Sequence, residues 1–188
     1  EPRFDDLPDH TAELGNYRLG SGRWMKTELT YFMATFTNDL DVGTQRSIIA
    51  EAFAAWSAVI PLNFQEVSSA SSADFVLGFG TGSHCELYSA SGTQCNSDGA
   101  FDGPSGVLAH CYYPGIADPV GGDCHFDDAE LFASGVGTSR EVSLLSVAIH
   151  ELGHGLGLDH SPEDRSAIMF PSYDPSNVKI QLGADDIA

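Results

Sequence analysis

The amino-acid sequence predicts an α/β domain, and three observations carry that prediction. A short β-branched and aromatic stretch near the N-terminus is followed by a long segment with helical apolar spacing. Two more strand-like stretches follow that helix closely. The order strand, helix, strand, strand is that of a sheet built with a crossover helix. At 188 residues the chain has the size of one domain and can bury most of its apolar surface.

Taken in order, residues 1–22 are polar and rich in turn formers, and are expected to form a surface leader segment. The first strand is the run Leu29-Thr30-Tyr31-Phe32-Met33-Ala34-Thr35-Phe36. From Val42 to Ile60, apolar residues recur at Ile48, Ile49, Ala52, Phe53, Trp56, Val59 and Ile60, a helical spacing that Pro61 ends. Leu62–Val67 and Asp74–Phe79 are the next two strands. Residues 80–127 hold many Gly, Asp, Ser and Pro but little periodicity, and long irregular segments in compact domains are usually functional. A second helix is predicted after Thr138, where Thr138-x-x-Glu141 has the form of a capping box. It runs through Leu144, Leu145, Ala148 and Leu152 and weakens at Gly153, Gly155 and Gly157. No internal repeat or dividing linker interrupts the chain, so residues 1–188 are expected to form one domain.

Composition narrows the function. Hydrophobic residues make up 42% and charged residues 19%, which is globular. Asp and Glu outnumber Lys and Arg by 27 to 8, for a formal charge of −19. That field repels phosphate backbones and anionic lipid surfaces, so nucleic acid and membranes are poor candidate partners. No apolar run approaches the length of a membrane span. Clustered carboxylates are either a solvated surface or cation ligands. The four cysteines, Cys85, Cys95, Cys111 and Cys124, are an even count that fits disulfides and a secreted, extracellular location. None pair at CxxC spacing, so they do not form a zinc knuckle. No signal peptide is visible at Glu1, as expected of a mature or trimmed chain.

The second predicted helix carries His150-Glu151-Leu152-Gly153-His154. Residues four apart share a helical face, so both imidazoles can reach one metal ion. The pattern continues as Gly155-Leu156-Gly157-Leu158-Asp159-His160. Gly157 can take the positive φ that ends the helix and turns the chain back, bringing His160 in as third ligand. A fourth position is left for water or a peptide carbonyl. Zinc lowers the pKa of a bound water towards ~7, and Glu151 is placed to take its proton. The five-residue HExxH alone arises often by chance, whereas HExxHxxGxxH is highly specific.

These residues, with Ser161 and then Met169, resemble the metzincin peptidases. Ser161 and Ala167-Ile168-Met169-Phe170-Pro171-Ser172-Tyr173 are similar to the matrixin branch in particular. Arg23-Trp24-Met25-Lys26-Thr27-Glu28-Leu29-Thr30-Tyr31 resembles the start of matrixin catalytic domains, and Asp185-Asp186-Ile187 the start of their last helix. The resemblance covers about residues 17–188. It implies a twisted, mostly parallel five-stranded sheet with two long helices and the start of a third, C-terminal one. It also implies a Met-turn at Met169 beneath the zinc. The cysteine-switch motif of matrixin propeptides is not found in these 188 residues, and no hemopexin-like domain is expected. Matrixins are made as zymogens, so a propeptide is expected to have been removed or never included.

The resemblance further implies a structural zinc held by His84, His110 and His125. Matrixins use His-x-Asp and two later histidines for this site, but here Glu86 stands two residues after His84 and the following segment is longer than usual. The fourth ligand is Asp98, after the insertion, or Glu86, with Asp98 preferred. A Cys85–Cys95 disulfide would pinch the insertion into a side loop, and Cys111–Cys124 would clamp the segments carrying His110 and His125. These pairings are one of three possible connectivities. Asp102-Gly103-Pro104-Ser105-Gly106-Val107 resembles a matrixin calcium loop. It implies ligands from the Asp102 carboxylate and the carbonyls of Gly103, Ser105 and Val107, completed by Asp127 and Glu130. A second calcium is expected between Asp74, Asp123 and the carbonyls near Pro119 and Gly121.

For substrate, Gly106-Val107-Leu108-Ala109 resembles the edge strand that pairs with an extended peptide in matrixins. Pro171 and Tyr173 are expected to wall the pocket for the residue after the scissile bond, and Ser146 to leave it deep. The expected activity is hydrolysis of extended polypeptides, preferring bulky apolar residues such as Leu at that position. Protein protease inhibitors are further expected partners, and nothing demands more than a monomer. The alternative is an inactive metzincin-fold binding or adhesion module, against which the intact Glu151 argues.

Overall fold

The computed structural model describes residues 2, 12–14, 17–20, 22–95, 99–115 and 119–187. Within the leader, β1 (Ala12–Leu14) and β2 (Tyr17–Leu19) pair as an antiparallel hairpin, which turn-rich composition alone had not announced. The main sheet follows: β3 (Glu28–Met33), β4 (Asn63–Glu66), β5 (Phe75–Gly80), β6 (Ala109–Cys111) and β7 (Cys124–Asp127). Their spatial order is β4-β3-β5-β7-β6, with every pairing parallel except that of the edge strand β6 with β7. The expected five-stranded, mostly parallel sheet is therefore present. β5 is buried along its whole length, as a central strand covered on both faces must be.

Between β3 and β4, helix α1 (Val42–Ser57) starts at the N-cap Asp41, whose carboxylate accepts from Thr44 N. It buries Ile48, Ile49, Ala52, Phe53 and Trp56, five of the seven residues whose spacing predicted it. The helix ends three residues short of Ile60, and Val59 stays exposed. In the segment expected to be irregular, a six-residue helix α2 (Cys85–Ala90) forms, too short for periodicity to register.

Helix α3 spans Leu144–Leu156 and starts later than the capping-box reading placed it. The reason is a small parallel pairing of β8 (Phe132–Ala133) with β9 (Val142–Ser143), which keeps the chain extended up to Ser143. Thr138 and Glu141 instead close a turn, Glu141 N donating to Thr138 O at 3.2 Å. Ser143 is the N-cap, accepting from Ser146 N. Every α3 residue from Leu144 to Gly155 is buried. It packs on α1, where Trp56 Nε1 donates to Ile149 O at 2.9 Å. At its end Gly157 takes φ 105°, the left-handed C-cap that the motif requires. The chain continues to α4 (Ala184–Ile187), the expected start of a last helix.

Candidate active site and metal centres

His150 and His154 lie one turn apart on α3, and the reversal at Gly157 brings His160 to them. The three histidines each present a ligand atom, all within 4.8 Å of one another. Two ring orientations are set by the backbone: His150 Nδ1 donates to Ile168 O at 2.7 Å and His154 Nδ1 to Leu158 O at 2.8 Å. Each Nε2 is thereby left as an acceptor, and the two Nε2 atoms face each other at 3.1 Å. Two lone pairs so close call for a cation between them. Zinc ligands at ~2.0–2.1 Å in tetrahedral geometry sit at about that separation. Burial, with the neighbouring imidazoles, holds His150 well below the ordinary histidine range, and burial lowers His154 to about 4. Both are neutral at pH 7, the ligating form. Glu151, the next residue on the helix, is fully buried.

The floor of the site is built by the segment after His160. Ser161 N donates to Met169 O at 2.8 Å, and Met169 is 2% exposed. A Cβ at Gly153 would lie 2.3 Å from Met169 Sδ, so the glycine between the first two histidines is where the methionine presses against α3. Asp186 of α4 accepts from Ile168 N at 2.8 Å and Met169 N at 3.1 Å, fixing the turn from the far end of the chain. Beside it, a small cavity is lined by Ser146, Ile168, Tyr173, Asn177, Val178 and Lys179, among others. Tyr173 closes one wall and its Oη accepts from Ser143 N at 2.9 Å. Ser146 and Tyr173 line this cavity together, and Pro171 is not among its lining residues. Gly106, Val107 and Leu108 lead directly into Ala109 at the start of the edge strand β6.

A second histidine set lies on the sheet. β6 and β7 pair His110 opposite His125 and Cys111 opposite Cys124, and His84 comes from the N-cap of α2 with a left-handed φ of 34°. His84 Nε2 and His110 Nε2 each lie 3.1 Å from His125 Nδ1. His84 Nδ1 donates to Gly82 O, which again leaves its Nε2 as ligand. Burial pushes His110 down to about 3, lowers His84 and drives His125 well below its usual range. Glu86, exposed on α2, is not part of this converging set. Asp98 lies outside the described residues, but its neighbour Gly99 packs so that a Cβ would sit 3.5 Å from His110 Cε1. Both expected disulfides, Cys85–Cys95 and Cys111–Cys124, are formed.

Among the described residues, only the two histidine sets draw three ligand atoms within 4.8 Å. The first carboxylate group is nevertheless gathered. The loop after Asp102 folds over its carboxylate, Val107 N donating to Oδ1 at 2.9 Å, and Ser105 N donates to Glu130 Oε1 at 2.5 Å. Ser105 has φ 69°, part of the tight loop geometry that also involves Gly103. Asp127 Oδ2 is buried with no partner among the described residues. Burial raises the carboxyl pKa of both Asp127 and Glu130. The second expected group comprises Asp74 and Asp123. Asp74 is engaged by Thr30 and by Lys26 at 2.6 Å, and Asp123 by Val76 N and Ser91. Both carboxylates are thus engaged by protein groups, Asp74 by Thr30 of β3 and Asp123 by Val76 of β5.

Two residues of the site had no local signature in the chain. Asp159 is buried beside His160, and Tyr113, 46 positions earlier, donates its hydroxyl to Asp159 Oδ1 at 3.2 Å. Only the fold brings them together.

The family model of the matrixins matches residues 23–188. Matrilysin of Felis catus is 40% identical over 180 residues, covering 94% of this chain and 62% of that protein. Interstitial collagenase of Oryctolagus cuniculus is 40% identical over 168 residues, 89% of this chain and 32% of its own length. Matrix metalloproteinase-20 of Homo sapiens is 37% identical over 178 residues, 93% of this chain and 33% of its own. The chain thus spans less than two thirds of each of these relatives.

Proposed function

The chain belongs to the matrixin family, and from that premise we propose that it is a secreted zinc-dependent endopeptidase. The observation that carries the reading is the trio His150, His154 and His160, with two Nε2 acceptors facing each other at 3.1 Å beside the buried Glu151. Zinc held there would lower the pKa of a coordinated water and polarise the scissile carbonyl. Glu151 takes the water's proton and delivers it to the leaving amine. The peptide lies extended along the Gly106–Ala109 segment, and the side chain after the scissile bond enters the cavity beside Ser146 and Tyr173. Ile168, Val178 and the Tyr173 ring favour a bulky apolar residue such as Leu there.

A structural zinc at His84, His110 and His125 takes Asp98 as fourth ligand, a reading supported by the position of Gly99 against His110. Calcium binds in the Asp102 loop with Asp127 and Glu130, whose raised carboxyl pKa values mark charges that a divalent cation would stabilise. Two disulfides support an oxidising, extracellular setting, and no helix among the described residues is long and apolar enough to cross a membrane.

The test is cleavage of a quenched fluorescent Pro-Leu-Gly-Leu-type peptide, with calcium, by wild type and Glu151→Ala, with and without a zinc chelator. Cleavage that vanishes with chelator and in the variant is expected. A folded, zinc-loaded wild type that cleaves nothing would favour the binding-module reading. A peptide library varied at the position after the cut tests the preference, and small or charged residues favoured there would overturn it.

A further inference from the structure

We propose that Asp159 is a positioning residue for the metal-binding turn, and that its buried carboxylate, tied to Tyr113, tightens zinc binding at His150, His154 and His160. The proposal rests on the zinc reading of those histidines. Asp159 is 3% exposed. Its Oδ1 accepts from the backbone N–H of His160 at 2.7 Å and from Tyr113 Oη at 3.2 Å. Its Oδ2 is buried with no hydrogen-bond partner among the described residues.

Tyr113, 7% exposed, stands edge-on to the His154 ring, with centroids 5.8 Å apart and an interplanar angle of 85°. The leader seals this corner. Gly20 N donates to Gly157 O at 2.8 Å, and a Cβ at Gly20 would meet Tyr113 Cε1 at 2.2 Å. One carboxylate therefore holds the backbone of the third ligand and, through Tyr113, backs the ring of the second.

Burying a carboxylate with one oxygen unsatisfied is unfavourable unless a positive charge compensates it. A dication on three neutral imidazoles supplies that charge, and attraction through a dry interior exceeds that in water. Asp159 then weakens the metal-free fold and favours the zinc-loaded one. A residue that only packed would act in the same direction in both states, so the two roles are separable.

Asp159→Asn removes the charge while keeping the shape and the Oδ1 acceptor. Its zinc dissociation constant, from competition with a chromophoric chelator, is expected to rise about 10–100-fold. The urea midpoint of its metal-free form is expected to hold or rise, and excess zinc restores peptide cleavage. Unchanged zinc affinity, or a metal-free form destabilised in step with lost affinity, would overturn the proposal. Tyr113→Phe removes one hydroxyl and is expected to weaken zinc several-fold in the same direction. It decides the matter should the Asn variant fail to fold: wild-type affinity in Tyr113→Phe then refutes the inference. A wild type that binds no zinc would refute the zinc reading itself, and with it this one.

Discussion

Glu151 is a carboxylate that α3 buries next to two neutral imidazoles, and the proposed mechanism uses it as a base. Glu151→Gln preserves its shape and removes that capacity. kcat is expected to fall by roughly 10²–10⁴, the usual contribution of a positioned general base, with the zinc content from metal analysis unchanged. Zinc lost along with activity would instead mark Glu151 as structural. At this scale the sequence was most legible where ligand spacing is local. His150, Glu151 and His154 lie within one helical turn, and Gly157 announced the reversal that delivers His160. The Asp159–Tyr113 bond was invisible because it joins residues far apart in the chain. The partners of Asp74 and Asp123 were not legible either, because an acidic side chain carries no mark of which backbone N–H groups will reach it.

Helix α3 depends on the absence of side chains as much as on their presence. At Gly153, between His150 and His154, the far side of the helix meets Met169 and Trp56, the latter 3.0 Å from where a Cβ would be. Gly153→Ala is expected to destabilise the fold by about 1–3 kcal/mol through overpacking, read as a lower urea midpoint. An unchanged midpoint would mean that the methionine floor yields at no cost. Element boundaries were legible where a stop or cap was local, as with Asp41 at the start of α1. The start of α3 was not, because the β8–β9 pairing that keeps residues 142–143 extended involves a partner ten positions earlier. Helix α2 and strand β7 escaped for a related reason, since short elements organised around histidines and half-cystines have no apolar period to read.

For the molecule as a whole, the buried histidines make stability depend on acidity. His154 at about 4 and His110 at about 3 lie below the ordinary value near 6.5, so the unfolded chain takes up protons first as pH falls. The metal-free protein should therefore lose stability progressively from about pH 6.5 towards 4, as urea midpoints across that range would record. Asp127 and Glu130 act in the opposite sense. Their raised carboxyl pKa values favour the fold at lower pH, and that contribution fades as pH rises through the carboxylate range. Midpoints that climbed steadily from pH 6.5 down to 4 would show that the histidines are not buried neutral as described.

Each histidine of the second set, the proposed structural zinc site, has a half-cystine as its chain neighbour: Cys85 after His84, Cys111 after His110 and Cys124 before His125. Oxidation and metal occupancy then act on the same backbone, and their coupling must be reciprocal. Whatever factor the bonds add to zinc affinity, zinc adds to the resistance of the bonds against thiols. Dithiothreitol should release thiols from the zinc-loaded protein more slowly and at higher concentration than from the chelator-treated one. Equal release in both would mean the two kinds of cross-link hold the sheet edge independently. If they are coupled, the domain fails in an order set by its surroundings: a reducing medium alone is resisted, a metal-poor one alone is resisted, and only the two together open that edge.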